Sequence, residues 1–173
     1  MLLKTERLTI RPIRANDWRD VQEIWKDFAC SPFACYDMPH DTSDEAVRSR
    51  IARWSGFGGS TEHMFFAICL PEGLIGYIAF NQRPNGHEVG YCFHSAFHGR
   101  GYAKESFLAL LEFLKSLGMK HIVARTALAN TPSVTLLKSL GFHRTGTEQV
   151  SFDRDAHGND IVFEGGIFER TAE

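Results

Sequence analysis

The sequence predicts an α/β (α+β) fold: one domain over residues 1–173, with a mixed, mostly antiparallel sheet of about seven strands and four helices on its faces. Three observations carry this. The 173 residues suffice for one well-cored domain and are few for two. The hydrophobic period alternates between strand and helix in the order β-α-α-β-β-β-α-β-α-β-β, with no internal repeat, linker or low-complexity segment. Finally, the strand Glu88–Phe93 runs through a Gly-rich turn into a helix and on to another strand, a crossover that makes those two strands parallel.

Leu2 to Ile13 alternates as a first strand with Leu8, Ile10 and Pro12 on one side, and Pro12 places its end near an edge. Asn16 or Asp17 caps a helix whose apolar positions are Trp18, Val21, Ile24, Trp25 and Phe28. After the loop Ala29 to Asp41, Thr42 or Ser43 caps a second helix, with Glu45 completing a capping box to Thr42. That helix presents Ala46, Val47, Ile51 and Trp54 and stops at Gly56-Phe57-Gly58-Gly59. Met64–Leu70, Leu74–Phe80 and Glu88–Phe93 then form an antiparallel meander, turning at Pro71-Glu72-Gly73 and Pro84-Asn85-Gly86. The helix from Lys104 shows Phe107, Leu110, Leu111 and Leu114 on one face and ends at Gly118. His121–Leu128 is the parallel strand. A fourth helix, Pro132–Leu140, has Pro in its first turn and Gly141 just past its end. His143 to Arg170 reads as two strands joined by Asp155–Asp160.

Composition narrows the function classes. A net charge of −2 gives no electrostatic reason to expect nucleic acid or an anionic membrane as partner. No apolar run approaches the roughly 20 residues of a membrane span, and charges at Lys4, Glu6 and Arg7 interrupt any signal-peptide core, so a cytoplasmic protein is expected. The four cysteines are too scattered for a disulfide framework. Cys30 and Cys35 are close enough to close a metal site or a disulfide, or to be two free thiols; no second ligand pair follows at zinc-like spacing, and no metal is expected.

The most informative stretch is His98-Gly99-Arg100-Gly101-Tyr102-Ala103. A Gly-rich turn opening a helix directs several backbone N–H groups at an incoming anion, and Arg100 adds a positive charge, which suits a phosphate or pyrophosphate. The P-loop pattern Gly-x-x-x-x-Gly-Lys-Ser/Thr is missing, which leaves little support for nucleotide hydrolysis.

This turn followed by Glu105, the Asn130-x-x-Ser133 spacing, Leu140-Gly141-Phe142 and the opening Thr5-Glu6-Arg7-Leu8-Thr9-Ile10-Arg11-Pro12 together resemble the GNAT N-acetyltransferase superfamily. Within it they look like the branch of the ribosomal-protein N-terminal alanine acetyltransferases. The resemblance implies acetyl transfer from acetyl-CoA to a primary amine, on a protein N-terminus or a small molecule, with the central parallel strands splayed at the acetyl-CoA site. It implies that Gly99, Arg100, Gly101, Tyr102 and Ala103 hold pyrophosphate and that Phe93 and Ser95 face the pantetheine arm. His98 stands where the family pattern opens with Gln or Arg.

The chemistry sets its own requirements. A primary amine must lose a proton before it attacks a thioester, and the departing thiolate must be met by a donor. Glu88 shares a strand face with Gly90, Cys92 and His94 and matches a family carboxylate, so it is the expected general base; a strand-end Glu paired to a neighbour is the other reading. His94 is a substitute base. Ser133 matches the serine proposed in this branch as acid, and Asn130 the asparagine that orients the cofactor arm; both are also placed to cap a helix. Tyr102 and Tyr91 are alternative acids. Acceptor recognition falls to Phe28–His40, Trp54–Glu62 and Asp153–Asp160, with Phe33, Tyr36, Trp54 and Phe57 as walls or core, and Asp37, Asp41, Asp153 and Asp155 as acids for a cationic amine. A CoA-binding module without turnover is the alternative function, and a homodimer is compatible with the sequence.

Overall fold

In the computed structural model, which describes residues 2–171, the opening apolar stretch folds as two strands rather than one. β1 (Leu3–Lys4) and β2 (Thr9–Pro12) pair antiparallel, with Leu3 opposite Ile10. Between them the Thr5 amide donates to the Leu8 carbonyl and the Leu8 amide to Thr5 Oγ1, both at 3.0 Å. A side chain that offers the backbone a local partner breaks the ladder at that point. Because β1 covers only Thr9 and Ile10, Pro12 sits on an open edge, where its missing N–H is harmless.

The remaining elements are α1 (Trp18–Ala29), α2 (Asp44–Gly56), β3 (His63–Leu70), β4 (Gly73–Arg83), β5 (Gly86–Phe93), α3 (Tyr102–Ser116), β6 (His121–Ala127), α4 (Thr131–Ser139), β7 (His143–Arg154) and β8 (Asp160–Thr171). Among the described residues the sheet therefore has eight strands, in the order β1-β2-β3-β4-β5-β6-β8-β7, and only β5 and β6 are parallel. Two helix starts differ from the sequence reading. Asp17 gives α1 no side-chain cap, because its carboxylate accepts from the Arg14 amide and is held bidentately by Arg11 at 2.7 and 2.8 Å. Ser43, one of the two residues expected there, holds the N-cap position of α2 without a side-chain cap hydrogen bond, and the Thr42–Glu45 capping box does not form; the Thr42 carbonyl and Asp44 instead accept from Gln22.

Helices cover both faces of the sheet. Trp25, Ile24 and Val21 of α1 and Val47 and Ile51 of α2 bury Ala67 and Tyr77, with the Trp25 indole donating to the Tyr77 hydroxyl at 2.9 Å. On the other face Phe107, Leu110 and Leu114 of α3 and Leu137 of α4 pack on Ile10, Ile68, Ile78, Phe80, Ile122 and Phe168. Trp54, expected as a pocket wall or as core, stacks on Phe65 with ring centroids 4.6 Å apart and belongs to the first layer. Phe93 closes the second layer by lying over Gly76, where a Cβ would fall 2.3 Å from its ring. Among the described residues no helix is long and apolar enough to cross a membrane.

Candidate active site

β5 and β6 start as neighbours and then part. His87, Glu88 and Val89 pair with Ile122, Val123 and Ala124, and the ladder stops there although β5 continues to Phe93 and β6 to Ala127. The antiparallel register with β4, in which the His94 amide still donates to the Ile75 carbonyl (3.0 Å), fixes where the β5 backbone points. Glu88, Gly90 and Cys92 turn their main-chain groups to β4; Tyr91 and Phe93 turn theirs into the opening beside β6. A ligand arm with amide groups can pair along that edge as a strand would.

Past Phe93 the chain makes a 3₁₀ turn at Ser95–Phe97 and enters α3 at Gly101, whose φ of +82° is the left-handed conformation that glycine tolerates. That turn lets the helix begin at Tyr102, two residues before Lys104. The first-turn amides of Tyr102, Ala103 and Lys104 have no intrahelical acceptor and face outward at the positive end of the helix dipole. Arg100 is exposed beside them.

The turn is held by side chains. His98 Nε2 donates to the Phe93 carbonyl at 2.8 Å, and a carbonyl only accepts, so this nitrogen carries the proton. His98 thus closes the turn onto the end of β5. Asp27 of α1 accepts from the Ser95 amide (2.7 Å) and the Ser95 hydroxyl (2.6 Å). Burial alone would raise the Asp27 pKa, but these hydrogen bonds and the nearby His94 and His98 outweigh it and hold the carboxylate below its usual range. Of the two residues expected along the pantetheine arm, Phe93 therefore meets the opening with its backbone amide, its carbonyl being bound by His98 and its ring being core, while Ser95 has its amide and hydroxyl committed to Asp27.

The expected catalytic groups lie on opposite faces of the opening. Glu88 is on the α1–α2 side, one residue before the strands part, with side-chain exposure of 25%. Arg83 holds its Oε2 at 2.8 Å, Arg125 its Oε1 at 3.2 Å, and Arg125 reaches on to Glu148 at 3.2 Å. Gly90, next on that face, is exposed, and nothing lies within 4 Å of where a Cβ would stand, so the strand backbone is bare there. Cys92 follows, half-buried, its thiol pKa pushed up to about 12 chiefly by desolvation. His94 Nδ1 accepts from the Ala96 amide at 3.2 Å and so caps the 3₁₀ turn.

On the α3–α4 side, the Tyr91 hydroxyl and Ser133 Oγ are 2.6 Å apart, linking β5 to the first turn of α4 across the opening. Burial raises the Tyr91 pKa to about 12 against the opposing effect of the Ser133 hydrogen bond, so this phenol is neutral. Asn130 is the N-cap of α4, its Oδ1 accepting from the Ser133 amide at 3.3 Å. Tyr102 lies under the Arg7 guanidinium, 4.5 Å from ring centroid to Cζ. The acceptor-side loops are partly committed: Tyr36 meets Phe163 edge-on at 5.2 Å, Asp41 binds the Ser43 amide, and Asp155 binds the His157 and Asn159 amides within its own loop. Asp37 is exposed and binds the Met38 amide. Cys30 and Cys35 are exposed free thiols.

Sequence reasoning missed Asp27, Arg83 and Arg125. Each acts through tertiary placement, and 68 positions separate Asp27 from Ser95. The pattern at Gly90 was visible, since it stands without a side chain between Glu88 and Cys92 on that strand face.

Residues 7–143 match the acetyltransferase (GNAT) domain. The chain is 28% identical over 149 residues to the uncharacterized N-acetyltransferase YnaD of Bacillus subtilis (strain 168), covering 84% of this chain and 85% of that one. A GNAT-family acetyltransferase of Bacillus anthracis shares 26% identity at a TM-score of 0.78, covering 99% and 98% of the two chains. The ribosomal-protein-S5-alanine acetyltransferase of Vibrio fischeri superposes at a TM-score of 0.83 with 15% identity over 99% of this chain and 96% of its own, a likeness of fold. The chain thus belongs to the GNAT family and is an acetyl-CoA-dependent N-acetyltransferase.

Proposed function

We propose that the chain moves an acetyl group from acetyl-CoA directly to a primary amine bound in the same complex, with the opening between β5 and β6 as the place of transfer. The observation that carries this reading is the open backbone edge at Tyr91 and at the Phe93 amide, running into outward-facing amides at the start of α3. The residues present fit the cofactor: an edge for the two amides of the pantetheine arm, then Gly99 to Ala103 for the pyrophosphate, with His98 shaping that turn and Asn130 ordering the start of α4.

The two faces divide the work. The amine enters over bare Gly90 on the α1–α2 side, and its proton leaves to Glu88 through a water. Its nitrogen bonds to the acetyl carbon, the carbon–sulfur bond breaks with its electron pair leaving on sulfur, the thiolate departs toward Ser133 on the other side, and the second nitrogen proton passes through water to that thiolate as the amide forms. With Tyr91 as the donor in the Tyr91–Ser133 hydrogen bond, Ser133 turns its own O–H toward the sulfur. With a pKa near 12, Tyr91 does not give up its proton to a thiolate of ordinary basicity near 8.5, so its part is orientation.

The acceptor is a protein N-terminus or a small-molecule amine. Fold likeness to an enzyme named for a ribosomal-protein alanine puts peptides beginning with alanine in the panel to be tested. A thiol-release assay with acetyl-CoA and a panel of N-terminal peptides, amino acids, polyamines and aminoglycosides tests the reading. Amine-dependent release is expected; CoA binding with no amine-dependent release across the panel would favour a regulatory CoA-binding module.

A further inference from the structure

The segment joining β1 to β2 lies against the first turn of α3 and is bonded to it through Arg7. The Arg7 guanidinium donates from Nε and Nη2 to Glu105 Oε2, at 2.7 and 2.6 Å, and its Nη1 donates to the Arg100 carbonyl at 2.9 Å. Glu105 Oε1 takes the Thr5 hydroxyl at 2.5 Å and the Arg7 amide at 3.0 Å. The Tyr102 ring stacks beneath the guanidinium. Arg7 therefore has a fixed orientation: two of its nitrogens are spent on a carboxylate that is itself anchored, and the third is aimed at one backbone carbonyl of the Gly turn.

That aim has a consequence for the next amide. The Arg100–Gly101 peptide is trans, so the Gly101 N–H points opposite to the Arg100 carbonyl. Drawing the carbonyl toward Arg7 turns the Gly101 N–H away from the body of the protein, toward the ligand side. Gly101 alone would not hold that plane, since glycine rotates freely between positive and negative φ.

We infer that Arg7 is a positioning residue for cofactor binding, fixing the Arg100–Gly101 peptide so that the Gly101 amide is presented to the pyrophosphate of acetyl-CoA. This rests on the reading of the Gly turn as the pyrophosphate site. The N-terminal segment is then part of the cofactor site although it lies about 90 residues from the turn in sequence. A bidentate guanidinium is required, because lysine supplies a charge without the planar fork that spans Glu105 and the carbonyl.

The test is CoA titration of the full chain, by calorimetry and by amide NMR, for wild type, Arg7→Lys and Arg7→Ala. Both variants should bind CoA about tenfold or more weakly, the scale of losing a hydrogen bond to a charged group. At saturating CoA the Gly101 amide shift seen in wild type should shrink in both variants, while the Tyr91 and Phe93 amides respond as before. If Arg7→Ala does not fold, Arg7→Lys carries the test alone. Full affinity in Arg7→Lys would overturn the inference by showing that charge suffices, and an unchanged Gly101 response in weakened variants would overturn it by showing that the Gly101 amide is presented to the cofactor without Arg7. Wild type that fails to bind CoA would refute the pyrophosphate reading itself.

Discussion

Glu88 illustrates what a single residue can and cannot announce. Its position on an alternating strand was legible, and so was its face; its two arginine partners were not, because Arg83 lies in the preceding strand and Arg125 arrives through a crossover. Both readings of Glu88 survive in one geometry, a paired carboxylate standing where the strands begin to part. Glu88→Gln should leave CoA affinity unchanged and lower kcat by about a hundredfold, with the deficit largest at low pH, where fewer amines are already neutral. The partners are about half exposed, so the variant should fold and melt like wild type. A kcat that does not move would remove Glu88 as base. Gly76 shows the converse: no sequence pattern marks it, yet the Phe93 ring occupies the space a methyl group would need.

Between elements, a tie runs from α1 to the turn that precedes α3. The amphipathic period of α1 specified its buried stripe but not Asp27, a polar residue near its end that reaches Ser95. Local signals located both helix starts but misjudged their bonding. Asp17 has the chemistry of a cap, but an ion pair to Arg11 outcompetes that use; of Thr42 and Ser43, Ser43 takes the N-cap position, its amide held by Asp41, and its side chain makes no cap hydrogen bond. Asp27 makes a prediction about pH. Its pKa is depressed in the fold, so its contribution to stability is complete above the unfolded carboxylate value near 4 and is lost as pH falls through the lower folded value. Thermal melts should show Asp27→Asn less stable than wild type at neutral pH, with the gap closing in acid. A gap that stays constant with pH would show that the charge on Asp27 is not what holds the turn.

At the scale of the whole molecule, the element order, the parallel crossover and the Gly turn were all readable, because each depends on patterns within a short stretch. The eighth strand was not, since it arises where Thr5 interrupts an otherwise alternating run. Nor was the placement of Glu88 and Ser133 on opposite faces, which follows only when β5 is set between two helical layers.

The parted strands leave a rung missing from the hydrogen-bond ladder in the middle of the sheet, where backbone amides are ordinarily the slowest in a protein to trade their hydrogen for deuterium. The Tyr91 and Phe93 amides should therefore exchange quickly in the free protein, despite very well-ordered neighbours, and slow sharply once CoA is added. The same occupancy should raise the melting temperature by mass action, with about 2.7 kcal/mol of added stability at a ligand concentration a hundred times Kd. Exchange that is already slow without ligand would mean the rung is filled from within. If it is fast, these two amides give a reading of cofactor occupancy that needs no acceptor amine at all.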